Sequence, residues 1–65
     1  MIRNVIRLQN DMVLVFNKKG EQIPLLQGRC EEVKDIILEI TSPKAVFAHG
    51  FTKHGEPKTV SRKKW

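Results

Sequence analysis

Arg29-Cys30-Glu31-Glu32-Val33-Lys34-Asp35-Ile36-Ile37-Leu38-Glu39-Ile40 is the segment that organises everything around it. Val33, Ile36, Ile37 and Ile40 recur at helical spacing and predict one apolar stripe, with Cys30 beside it. Glu31 and Glu32 fall in the first turn, where carboxylates favour the positive end of the helix dipole. Pro43 keeps Ser42 out of helical angles, so the helix stops by Thr41. Its stripe is expected to cover one face of a sheet.

The strands lie on either side of it. Met12-Val13-Leu14-Val15-Phe16 is apolar at every position, the pattern of a central strand. Residues 2–9 read as a strand before it. Ile2, Ile6 and Leu8 share one face and Arg3, Val5, Arg7 and Gln9 the other. Asn10-Asp11 sits between these runs, and both residue types tolerate positive φ, so a tight hairpin turn is expected. Asn17-Lys18-Lys19-Gly20 is a second turn. Glu21-Gln22-Ile23 reads as a short third strand stopped by Pro24, which has no N–H for a ladder. Leu25 and Leu26 read as a buried anchor before Gly28. Beyond the helix, residues 44–51 alternate as a strand, 52–57 form a loop with Gly55 and Pro57, and 58–62 close as a last strand.

The order is β-β-β-α-β-β. Each strand-to-strand link is short, which predicts antiparallel pairs. The fold expected is α+β, a small antiparallel sheet with one helix packed on it. The 65 residues are read as one small domain, 1–65, with 62–65 a basic tail free to move. A domain this small buries only ~60% of the surface its chain exposes when unfolded, which leaves little room for a deep, enclosed active site. No stretch approaches the ~20 apolar residues of a membrane span. The first residues carry Arg inside their apolar pattern and lack a signal core. With a single cysteine no internal disulfide is possible, and the expected compartment is the cytoplasm.

The chain carries a net charge of +5, and the excess is not spread evenly. The helical segment holds Glu31, Glu32, Asp35 and Glu39 against Arg29 and Lys34 and is net negative. The remainder is strongly positive, with only Asp11, Glu21 and Glu56 opposing its cations. A basic surface of this kind meets phosphates or an acidic protein face. Arg3 and Arg7 on a strand face turned from the core, Lys18 and Lys19 at a turn tip, and Arg62, Lys63 and Lys64 in the tail are the candidate nucleic-acid-binding residues. The same cations also keep strand edges soluble.

Other constellations are incomplete. Phe47, His49 and Phe51 lie at period two, as in stacking platforms for bases. A chain with few large side chains also needs such residues in its core. His49, His54 and Cys30 lack the paired spacing of a structural zinc site. Cys30 near a helix start resembles an activated thiol in position, yet a free cysteine beside an apolar stripe behaves as a small core residue. The helical carboxylates share a solvated side and make no acid–base pair. No glycine opens a helix with phosphate-loop spacing. Trp65 suits a partner anchor, a patch on a thin core, or a free end. No catalytic, cofactor-binding or metal residue is assigned. The reading is a small non-catalytic binding module that leans to nucleic acid through its basic strands and tail. The alternative is a protein-interaction or accessory subunit, homodimeric through a sheet edge.

Overall fold

The computed structural model describes residues 2–65. Five strands and one helix follow one another as β1 (Ile2–Arg7), β2 (Met12–Asn17), β3 (Gly28–Arg29), α1 (Cys30–Ile40), β4 (Val46–Phe51) and β5 (Pro57–Val60). This is the α+β architecture and element order expected. The sheet runs β3-β2-β1-β4-β5. The neighbours β1–β2, β2–β3 and β4–β5 are antiparallel, but β1 and β4 at the centre are parallel. The sheet is therefore mixed, which corrects the expectation of a wholly antiparallel one. The short links do force antiparallel pairs. The helix is a crossover that carries the chain from the β3 edge past β2 and β1, and a connection of that length permits parallel neighbours.

The turns explain the local register. Between β1 and β2, Asp11 takes φ 62°, and Asn10 Oδ1 accepts the Met12 N–H at 3.1 Å. After β2, Asn17 Oδ1 accepts the N–H groups of Lys19 and Glu21 at 2.9 and 3.0 Å, and Gly20 takes φ 81°. The third strand is not where the sequence placed it. Gln22 makes one isolated bridge to Phe16, then Pro24–Leu26 form a single 3-10 turn. Gly28–Arg29 is the segment that pairs with β2. Pro24 cannot extend a ladder, so pairing resumes only after the turn. Leu25 in that turn is 94% exposed, not a buried anchor; its neighbour Leu26 packs against the core.

One face of the sheet, the inner face, lies beneath α1. Its core joins Val5, Val13, Val15 and Phe47 to Ile37, Cys30 and Trp65. The helix is rotated relative to the expected stripe. Cys30, Ile37 and Thr41 are buried, while Ile36 and Ile40 are 52% and 55% exposed. In so small a domain the helix meets the sheet along a narrow line, and the row 30, 33, 37, 41 occupies it. The faces of β1 are also reversed. A register shift between Ile2 and Asn4 puts both Ile2 and Val5 in the helix-side core. Ile6 then points to the outer face, and Arg7 shares the side of Val5.

Candidate functional site

The parallel pair β1 and β4 ends at one rim of the sheet, and a cleft of about 780 Å³ opens there. Arg7, Asn10 and Asp11 line it from the β1–β2 turn, and His49, Phe51 and Lys58 from the β4–β5 hairpin. Backbone hydrogen bonds hold that hairpin, with Thr52 N–H donating to Glu56 O at 2.7 Å and Gly55 N–H to Thr52 O at 2.9 Å. Thr52 Oγ1 also accepts from the N–H groups of His54 and Glu56, each at 3.3 Å. A bulge between Ala48 and Phe51, where Gly50 takes φ 70°, re-aims the end of β4. As a result the three period-two residues separate. Phe47 is buried, whereas His49 is exposed and Phe51 is 45% exposed. A half-exposed aromatic ring thus stands beside Lys58, on a hairpin that also carries Lys53 and His54.

Arg7 forms the wall of the cleft but offers it little free hydrogen-bonding capacity. Its Nε and one terminal nitrogen donate to Asp11 Oδ1 at 3.1 and 2.9 Å, and the other terminal nitrogen donates to the Trp65 main-chain oxygen at 3.0 Å. The hydrogen bond to Asp11 raises the guanidinium's proton affinity, and the nearby Cys30 adds to it. His49 Nε2 lies 3.3 Å from the same Trp65 oxygen. On the other side of the Arg7–Asp11 pair, a cavity of about 540 Å³ reaches Cys30, Arg29 and Lys34. Cys30 itself is buried in the core. Among the described residues, no three His, Cys, Asp or Glu side chains gather closely enough to hold a metal ion.

The 62–65 segment is built into the fold. A turn returns the Lys64 and Trp65 N–H groups to Ser61 O at 3.0 and 3.1 Å. Trp65 is 2% exposed, and its Nε1 donates to Ala48 O at 3.1 Å. Its ring meets Phe47 edge-on, with centroids 5.1 Å apart. Arg62 closes α1. The helix has no basic residue in its own last turn, and the Arg62 guanidinium donates to the carbonyls of Leu38, Thr41 and Ser42. It also lies 5.2 Å from the Phe47 ring centroid. A cation at that end satisfies open carbonyls and opposes the negative pole of the dipole. Arg62 is thus committed to the protein, while Lys63 and Lys64 remain exposed.

At the opposite rim, Arg3, Lys18, Ser42 and Lys44 line a groove of about 430 Å³ with no carboxylate in its wall. Lys19 lies next to it on the same turn. Of the seven cations singled out by sequence, Arg3, Lys18 and Lys19 gather here, Lys63 and Lys64 point to solvent from the closing turn, and Arg7 and Arg62 bind the protein itself. The sequence pattern left out Lys44 and Lys58, both isolated cations whose neighbours are set by the topology. Among the described residues the only ion pairs are Arg7–Asp11 and Arg29–Glu31. No family model matches this chain, and no curated protein or solved structure matches it.

Proposed function

We propose that this domain is a non-catalytic nucleic-acid-binding module of the cytoplasm, taking a single strand across the rim where β1 and β4 end. The observation that carries the reading is Phe51, a half-exposed ring in an open cleft, with Lys58 beside it and Lys53 on the same hairpin. Sequence-tolerant binders of single strands combine an aromatic stacking surface with cations that follow the backbone. The groove of Arg3, Lys18 and Lys44 supplies a second cationic surface, about 20 Å away by the length of a six-residue strand. Lys63 and Lys64 add charge without a structural duty.

Fluorescence anisotropy with labelled oligo-U and oligo-dT at two salt concentrations tests the reading. Affinity is expected to fall with salt by about 0.7 in log–log slope for each phosphate neutralised. Phe51→Ala is expected to weaken binding by ~1–3 kcal/mol, the range for one stacked base. Absence of binding at low salt removes nucleic acid from consideration. A protein-interaction module is the second reading, favoured by Ile36 and Ile40, which stand exposed on the helix among Glu32, Asp35 and Glu39. It predicts no nucleic-acid binding and a complex with a protein instead.

A further inference from the structure

The large apolar side chains left most open to water stand on one flank of the molecule. Leu25 is 94% exposed, Ile40 55% and Ile36 52%, above every other large apolar residue described. Val33 of α1 lies over Gly28 of β3. Ile36 and Ile40 follow it three and seven residues on, so they continue the same flank of the helix. Leu25 belongs to the 3-10 turn just before β3, and its neighbour Leu26 packs against the same core as Val33. Exposed apolar side chains scattered singly are ordinary, but a group on one flank marks an interaction surface.

The charge beside this group runs against that of the whole chain, which is +5. Glu32, Asp35 and Glu39 are exposed next to the two isoleucines, and none of the three joins an ion pair among the described residues. Lys34, the one cation within Cys30–Ile40, falls on the opposite flank by helical spacing and lines the cavity beside Cys30.

We infer that this flank of α1 binds a basic amphipathic segment of another protein, with apolar residues at helical spacing and Lys or Arg beside them. The sign of the charge selects the occupant. Three carboxylates repel a phosphate backbone or an anionic lipid surface. A second copy meeting the flank about a two-fold axis would set those carboxylates against their own images. A second copy presenting a basic rim would make a head-to-tail contact that does not close on itself. The mode of docking follows from β2, whose edge on this side is already engaged. Val15 N–H donates to Gln27 Oε1 at 3.0 Å, and Val15 O accepts from the Ile23 N–H at 2.8 Å. With those groups committed, an added strand has no ladder to join there, and side chains carry the recognition, as when a helix lays its apolar face on an apolar surface.

Fluorescence anisotropy with the intact chain tests this. The probe is a labelled Leu–Lys peptide with leucine at helical spacing, and the control peptide has the same composition with the leucines moved off that spacing. The basic rims repel both peptides, so binding reports on the acidic flank. The first peptide is expected to bind, less tightly as salt is raised, and at least about tenfold more tightly than the second. Ile36→Ser with Ile40→Ser is expected to weaken binding at least about tenfold with an unchanged circular dichroism spectrum. Glu32→Gln, Asp35→Asn and Glu39→Gln together are expected to remove most of the salt dependence. Thr59→Ala, exposed on β5, leaves the affinity as in the parent. No binding of the first peptide, equal binding of the second, or an affinity indifferent to both sets of helix variants overturns the inference. So does self-association in sedimentation equilibrium that Ile36→Ser with Ile40→Ser abolishes, which would make the occupant a second copy. The flank is separate from the rim that carries Phe51, so the outcome is independent of whether oligonucleotides bind.

Discussion

On the inner face of the sheet Val5, Val13, Val15 and Phe47 lie sealed with Ile37 and Trp65. On the outer face Ile6 and Ala48 are as deeply buried, yet Leu14, Phe16 and Val46 around them stay half-buried. The contrast shows how a very small domain divides its apolar residues. The inner face takes the helix, the indole and a capping arginine, and becomes the place where substitutions cost most. The outer face fully buries only Ile6 and Ala48 and leaves the side chains around them half in water, so substitutions there cost less.

The largest difference between the faces is expected at Trp65 and Ile37. Trp65→Ala removes a fully buried indole and its hydrogen bond to Ala48, a loss of ~3–5 kcal/mol. Ile37→Ala opens a cavity beneath the helix for ~2–5 kcal/mol. A domain of this length holds only about 3–10 kcal/mol in total, at roughly 0.05–0.15 per residue. Both variants should therefore lose a large part of that total and unfold at much lower urea by circular dichroism. Leu14→Ala on the outer face should cost the monomer distinctly less, ~1–2 kcal/mol, because half-buried side chains forfeit less transfer energy. Equal losses at Ile37 and Leu14 in urea unfolding at low protein concentration would abolish the distinction between the faces.

Next comes Arg62, a cation whose structural role no local pattern announces. Arg62→Met leaves three helix-end carbonyls without their donor and is expected to cost ~1–3 kcal/mol, the range for hydrogen bonds to charged groups. Lys63→Ala with Lys64→Ala should leave the thermal midpoint nearly unchanged, since both are exposed and unpaired. Thermal unfolding of the two variants separates these roles. A midpoint equally insensitive to both would mean that α1 does not depend on its cap. Neutralising 62, 63 and 64 together would mix a structural loss with an electrostatic one, so a binding test must leave Arg62 in place.

These contrasts also mark what was legible in the residues. Helix, hairpin and central strand follow from local chemistry: the 3.6-residue stripe, the Asn10-Asp11 turn, the apolar run at 12–16. The parallel pairing of β1 with β4 is a consequence of where a crossover lands, which no local pattern encodes. The rotation of α1 could not be seen because Ile36 and Ile37 fit a stripe equally well; contact with the sheet chooses between them. The reversal of β1 comes from a register shift near Arg3, and one extra residue exchanges inside for outside. Arg62 reaches its carbonyls across more than twenty residues of sequence, beyond any capping motif. The cleft is partly legible. Phe51 was visible as an aromatic at period two, but only the bulge at Gly50 separates it from the core position of Phe47.

Among the buried side chains the smallest effect is expected at Thr41, at the end of α1 on the inner side. It is buried, its N–H donates to Ile37 O at 3.0 Å, and its carbonyl accepts from Arg62 at 3.0 Å. Its hydroxyl alone has no hydrogen-bond partner. A buried hydroxyl without a partner carries its desolvation cost uncompensated, ~1–3 kcal/mol by mutational measures. Valine keeps the β-branched shape, and the backbone here is extended, with φ −81° and ψ 132°, which valine adopts readily. Thr41→Val should therefore stabilise the fold by about 1 kcal/mol, raising the thermal midpoint of a domain this size by roughly 4–8 °C. The gain requires the backbone bonds to Ile37 and Arg62 to persist, so it should shrink in the Arg62→Met background, where one of them is gone. A lower midpoint for Thr41→Val would mean that the hydroxyl is hydrogen-bonded in solution, to an ordered water or to a carbonyl of the last helical turn. The inner face would then be wetter at this end than its packing implies.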